Sequence, residues 1–305
     1  MKKWFYKVYG LIVESDIEIP ELLSIDKNEN KVDIKIKKDI IPKDVIEKIP
    51  SYSWFKYDVD SMVFTVENIG SFYIYDGKNI VVQPSENADN QGIKTFILGT
   101  SFGMILLQRN KVAIHGGAIL IGENAIILTG QSGAGKSTLT NYFRHYEYPF
   151  IADDVCSTIE LQDEIFIEPA YPQQKICRDA MDKMGYRIDD FKLIDEDREK
   201  YVIPTHESFV KEKRKLKAIF EIEPYDGEEV KIEEVSGGEK MKTILRNIYR
   251  IEIIAPHGIP PAYFKKVINI AKNTLVFRIK RPKNQFSVDR QIELIERELM
   301  LKCNV

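Results

Sequence analysis

Apolar and polar residues alternate strictly through Val32-Asp33-Ile34-Lys35-Ile36-Lys37, the pattern of a strand with one buried face. Three more strands are predicted at 62–66, 71–75 and 79–82. They are punctuated by Asn68-Ile69-Gly70 and by Asp76-Gly77-Lys78, a strong hairpin turn. Trp54, Phe55 and the nearby tyrosines read more readily as a small aromatic core than as a binding face. Residues 84–90 form a polar linker. From Thr95 to Leu107 the chain is apolar nearly all round, which predicts a buried helix. Gly99 and Gly103 lie one turn apart on it, where another element can approach closely.

Residues 112–121 read as a strand pair or a bulged strand, and 122–124 as a turn. Four apolar residues, Ala125 to Leu128, then run into a glycine-rich loop, and Leu139, Tyr142 and Phe143 continue with helical spacing. Further on, Pro149 to Val155 is a short apolar run ending in two aspartates. A hairpin is predicted over 158–161 and 165–167, strands at 217–223 and 275–279, and helices at 239–247 and 289–301. The charged run containing Lys211, Lys213, Arg214, Lys215 and Lys217 reads as a solvated helix face.

Composition narrows the classes without choosing one. The chain has 305 residues, 44% hydrophobic and 30% charged, with a formal net charge of −3. No global basic field argues for nucleic acid. Residues 1–91 carry 12 lysines, no arginine and 16 acids, net −4, so the remainder is +1. That shift fits a division into residues 1–91, a small β-rich domain, and residues 92–305. Cys156, Cys177 and Cys303 show no CxxC spacing, which suits a reducing cytoplasm. Lys7 interrupts the apolar opening at once, so no signal peptide is expected. The longest apolar stretch, 96–107, is too short to span a bilayer.

The candidate chemistry lies in the glycine-rich loop. Gly130, four residues (Gln131, Ser132, Gly133, Ala134), then Gly135-Lys136-Ser137 meets every fixed position of the Walker A pattern, with a strand before it and a helix after. Glycines let successive N–H groups turn inward around an anion, and the helix points its positive end at the same place. Lys136 is expected to reach the β- and γ-phosphates of ATP and the Ser137 hydroxyl to ligate Mg²⁺; Thr138 completes the loop. Asp153 and Asp154 follow at a distance that fits one crossover helix, which puts them on a strand of the same sheet. Neighbours in a strand face opposite ways, so both aspartates reach the phosphates only if the backbone turns there. One is then expected to hold Mg²⁺ and the other to face an acceptor hydroxyl. Val235-Ser236-Gly237-Gly238-Glu239-Lys240 imitates the signature loop of transport ATPases. No apolar strand ending in acids follows it, so it reads as a turn with Ser236 as a helix N-cap. No Asn-Lys-x-Asp guanine reader is present.

His115-Gly116-Gly117-Ala118, then the Walker A stretch, then Ala152-Asp153-Asp154 resembles the kinase domain of the HPr kinase/phosphorylase family, and more distantly ATP-dependent phosphoenolpyruvate carboxykinase. Tyr9-Gly10-Leu11 with Ile19-Pro20-Glu21-Leu22 looks like HPr-kinase-like proteins encoded beside peptide natural products, among them kinases of lasso-peptide precursors. The resemblance implies an α/β P-loop kinase core with a β-rich amino-terminal domain. It also implies metal binding by the aspartates, deprotonation of an acceptor serine by one of them, and a place for His115 beside them. Thr138 stands where HPr kinases usually have glutamate, and the carboxy-terminal signature linked to phosphorolysis is not found. Lys200, Arg246 and Arg250 are candidates for a mobile cation over the γ-phosphate. The expectation is an ATP- and Mg²⁺-dependent serine kinase acting on a peptide or small protein. It is expected to work in the cytoplasm without nucleic acid or membrane, with a homo-oligomer left open. The alternatives are a small-metabolite kinase of the same fold and a non-catalytic ATP-binding module.

Overall fold

The computed structural model describes residues 2–27, 31–195 and 199–303. It is a mixed α/β structure with several sheets, and the chain divides into two compact units. The first comprises Met1–Ala113 with Glu252–Ile259, and the second Ile114–Ile251 with Pro260–Val305.

In the first unit, β1 (Trp4–Val8) and β2 (Leu11–Ser15) make a hairpin that the sequence pattern did not reveal. Its turn residues Tyr9 and Gly10 are both left-handed, at φ 52° and 71°, as a tight two-residue hairpin requires. The unit continues through β3 (Leu23–Ser24), β4 (Ile34–Lys38), a helical turn α1 (Lys43–Ile46), β5 (Phe55–Asp58), β6 (Ser61–Val66), β7 (Gly70–Tyr75) and β8 (Asn79–Pro84). The eight strands order as β3-β1-β2-β4-β8-β7-β6-β5, parallel only where β4 meets β2 and β8. Phe64 and Phe72 stack at 4.7 Å in its core, with Phe96 5.9 and 5.8 Å away. Trp54 packs edge-on against Phe64 but stays partly exposed, and Tyr52 is 90% exposed.

The apolar helix begins earlier than its pattern suggests. Asp89 caps it by accepting from the Gly92 amide, so α2 (Asn90–Phe96) starts inside the predicted linker. A π-helical turn over Ile97–Ser101 then joins it to α3 (Phe102–Gln108).

The second unit opens on β9 (Ala113–Ile121), one nine-residue strand rather than a pair. After β10 (Asn124–Thr129) and α4 (Lys136–His145) come β11 (Phe150–Ala152), β12 (Val155–Leu161) and β13 (Glu164–Ile167). A separate three-stranded sheet follows, β14 (Gln173–Cys177), β15 (Lys192–Asp195) and β16 (Lys200–Pro204), packed on α5 (Arg178–Lys183). Next is β17 (Arg214–Tyr225), so the charged run is partly extended strand and not a helix face. The side chains there alternate, and the apolar ones, Leu216, Ala218 and Phe220, take the buried side. β18 (Lys231–Glu234), α6 (Gly237–Arg246) and α7 (Ile251–Ile254) lead to α8 (Pro261–Asn273), β19 (Leu275–Pro282) and α9 (Val288–Cys303). The side chain of Cys303 lies outside the described residues; Cys156 and Cys177 are free thiols.

β10 pairs antiparallel with β9 and parallel with β17, and β17 pairs parallel with β19. Three strands therefore end on one side, and the helices α4 and α9 cover a face of the sheet through Leu139, Phe143, Ile292 and Ile295. The contact between α4 and β9 depends on Gly117. A Cβ there would lie 2.7 and 2.9 Å from the Thr140 Cγ2 and Cβ atoms, closer than side chains pack.

Candidate functional site

The Walker A stretch is the connection from β10 to α4. Gly130 and Gly135 take φ of 139° and 101°, which an L side chain rarely adopts, and they bend the loop over the helix start. Gln131, Ser132 and Gly133 are exposed at its crest, whereas Ala134 is buried beneath. Ser137 and Thr138, in the first turn of α4, are partly accessible. Lys136 is buried, and its Nζ donates to the carbonyls of Gly130 at 2.8 Å and Gln131 at 3.0 Å. Burial pulls its pKa below the usual lysine value; Asp154 opposes this and Lys200 adds to it.

Asp153 and Asp154 occupy the break between β11 and β12. β11 pairs with β9, so the aspartates lie in the same sheet as β10. Asp154 is left-handed at φ 69°, a conformation aspartate tolerates better than most residues. This is the turn that two adjacent carboxylates need in order to converge, and both meet one residue. The Lys175 amide donates to Asp153 Oδ2 at 2.8 Å, and its Nζ lies 3.0 Å from Asp154 Oδ2. His115, on β9, places Nδ1 3.3 Å from Asp154 Oδ1 and 3.1 Å from the Asp154 carbonyl.

The two carboxyls are driven apart electrostatically. Burial, reinforced by the neighbouring Asp154, raises Asp153 from 3.8 to about 6. Burial pushes Asp154 the same way, but the Lys175 ammonium and the His115 hydrogen bond outweigh it and hold Asp154 well below its ordinary value. Lys175 is itself largely covered, and Asp154 together with Tyr171, Tyr249 and Asp153 more than offsets that burial and keeps it charged. The site thus contains one carboxyl that is readily protonated and one fixed carboxylate.

Lys175 was not legible in the sequence. It opens a polar, charged stretch with no motif, and only the placing of β14 against the turn at 153–154 brings it beside the aspartates. Of the candidate cations, Lys200 lies near enough to Lys136 and Asp153 to influence both. Arg246 is held instead by the buried Glu221 (Nε–Oε1 2.7 Å) and by Glu239 at 2.9 Å, and Arg278 joins the same cluster. Arg250 lies over the Tyr249 ring. Ser236 stands at the N-cap of α6, but its side chain makes no capping bond, contrary to expectation; Gly237 turns there at φ 56°.

Arg281, also unread in the sequence, braces the loop from β19. Its Nε donates to the Ala134 carbonyl at 2.7 Å and its Nη2 to the Gly133 carbonyl at 3.3 Å.

No family model and no curated protein matches the chain. Among solved structures it is similar to the Hpr(Ser) kinase/phosphatase from Coxiella burnetii. The identity is 14% over 63% of this chain and 92% of that one, with a TM-score of 0.34. A likeness of that quality establishes neither a family nor an activity. No described helix is long and apolar enough to cross a membrane.

Proposed function

We propose that the chain is an ATP- and Mg²⁺-dependent kinase that transfers the γ-phosphate to an alcohol, a serine of a peptide or small protein. One observation carries the reading: a Walker A lysine within electrostatic reach of two adjacent aspartates, Asp153 buried and Asp154 partly buried, whose proton affinities differ. A module that only bound nucleotide would need the cradle and not the carboxyls.

Lys136 is the cation that would follow the phosphates. Its present acceptors are two loop carbonyls, which an incoming phosphate oxygen outcompetes by charge. Asp153 is the better proton acceptor, because a carboxyl near pH 6 combines ionisation at neutrality with useful basicity. Asp154, fixed as an anion, orients His115 and Lys175 around the reacting centre.

Hydroxyl and carboxylate oxygens are hard donors and fit Mg²⁺. No cluster of three or more His, Cys, Asp or Glu that could cage a metal exists among the described residues, and an ion shared with phosphates needs none. Ser137 with Asp154 would hold it, leaving Asp153 to the acceptor, and the ion would neutralise charge developing on the phosphates.

The test is γ-labelled ATP with a panel of serine peptides, small proteins, peptide natural-product precursors and metabolites. Label should move to a serine, and Lys136→Ala should abolish transfer, because preorganised charge at the transferring group dominates such catalysis. Normal turnover by folded Lys136→Ala would remove the loop from the mechanism. Label on a metabolite alone would replace the acceptor class.

A further inference from the structure

The Walker A reading accounts for the phosphates and leaves the nucleoside without a place. The strand register supplies one. Thr129, the last residue of β10, lies level with Glu221 on β17, which in turn lies level with Arg278 on β19. β19 runs on to Pro282, so Arg281 overhangs the loop by three residues, about 10 Å. Ligands of open α/β sheets sit in this position, in the crevice beyond the carboxyl ends of parallel strands.

Arg281 is fixed there edge-on. Its three guanidinium nitrogens donate to the carbonyls of Ala134, Gly133 and Pro282, at 2.7, 3.3 and 3.1 Å. Hydrogen bonds made in the plane leave the flat faces of the group available for stacking. Immediately beyond it opens a cleft of about 450 Å³ lined by Pro282, Gln285, Phe286 and Glu229. That volume lies within the range of small-ligand sites. Phe286 is 45% exposed, which is unusual for a phenylalanine. Tyr142 of α4, 5.4 Å between centroids, and the Lys183 ammonium, 4.7 Å from its ring, hold it in place.

We propose that this cleft is the nucleoside site, with the adenine of ATP stacking on Phe286 beside the Arg281 guanidinium while the triphosphate lies in the 130–137 loop. The proposal rests on the nucleotide reading of that loop. It adds a consequence: Arg281 ties the cradle to Pro282, a wall of the cleft, so the loop is braced from the side where the base arrives.

The experiment compares Mg²⁺-ATP with Mg²⁺-tripolyphosphate by calorimetry, on the full chain and its Phe286→Ala variant. The wild type should bind ATP more tightly than tripolyphosphate. Phe286→Ala should lose ATP affinity on the order of 10-fold, as removal of a stacking partner does, with tripolyphosphate affinity unchanged. The unchanged tripolyphosphate binding also certifies a folded variant. Equal ATP affinity in the two proteins overturns the nucleoside site, and so does a parallel loss of both ligands. Wild type that binds tripolyphosphate as well as ATP overturns the nucleoside site and spares the loop. Wild type that binds neither overturns both.

Discussion

At the scale of single residues, the informative contrast is between two adjacent aspartates. Their order in the sequence says nothing about which is basic; burial with Asp154 alongside raises Asp153, whereas the Lys175 ammonium and the His115 hydrogen bond hold Asp154 down. Asp153→Asn should cut transfer by about 10²–10⁴-fold, as loss of a general base does, and leave nucleotide affinity largely intact. A variant that turns over like wild type would deny Asp153 that role. Stability supplies a second measurement, made in chelator. Asp153 has a folded value near 6 against an ordinary 3.8, so between these pH values the folded protein holds a proton that the unfolded chain releases. Its contribution is complete below pH 3.8 and lost as pH rises through 6. Wild type should therefore weaken relative to Asp153→Asn across that window, as urea melts at successive pH values will show. The sequence named His115, Lys136, Asp153 and Asp154, because motif chemistry is local. It missed Lys175 and Arg281, whose roles exist only once β14 and β19 are placed.

At the scale of elements, patterns with one clear period were legible and those that depend on context were not. β4, β6, β7 and β8 alternate or sit beside strong turns, and their predicted bounds fall within a residue or two of those observed. α8 begins at Pro261 with Pro260 at its N-cap, and no helix is expected there from the sequence although proline is well suited to a first helical turn. The start of α2 depends on one capping aspartate in a polar stretch. The glycines of the second unit separate by use. Gly117 permits α4 to lie on β9, so Gly117→Ala should destabilise by roughly 1–3 kcal/mol, the usual cost of overpacking. Gly238, in the first turn of α6, has no neighbour within 4 Å of an added Cβ, so Gly238→Ala should stabilise by about 0.4–1 kcal/mol through the unfolded chain. Thermal melts of the two variants should move in opposite directions; a Gly117→Ala protein as stable as wild type would mean that the helix yields without cost.

At the scale of the molecule, we propose that residues 1–91 take part in reading the acceptor, and the first unit constrains how that can be tested. Composition suggested a break near residue 91, but that position lies inside α2, and the unit continues to Ala113 and includes Glu252–Ile259. α2 and α3 bury Ile93, Phe102 and Leu106, and within the same unit Phe96 and Phe102 pack against Phe64, Phe72 and Tyr9. Deleting residues 1–91 would strip those rings of their partners, and the remaining chain should aggregate, so its inactivity would say nothing about recognition. A surface change avoids this. Tyr52 precedes the edge strand β5 and is 90% exposed, so its loss should leave the fold intact. An extended acceptor that adds to that edge through backbone hydrogen bonds would pass over its ring. Tyr52→Ala should then raise KM for a serine peptide by about 3- to 10-fold, the range of one surface aromatic contact, with kcat and basal ATP hydrolysis unchanged. An unchanged KM, measured on a variant with wild-type melting behaviour, would move acceptor recognition away from this edge.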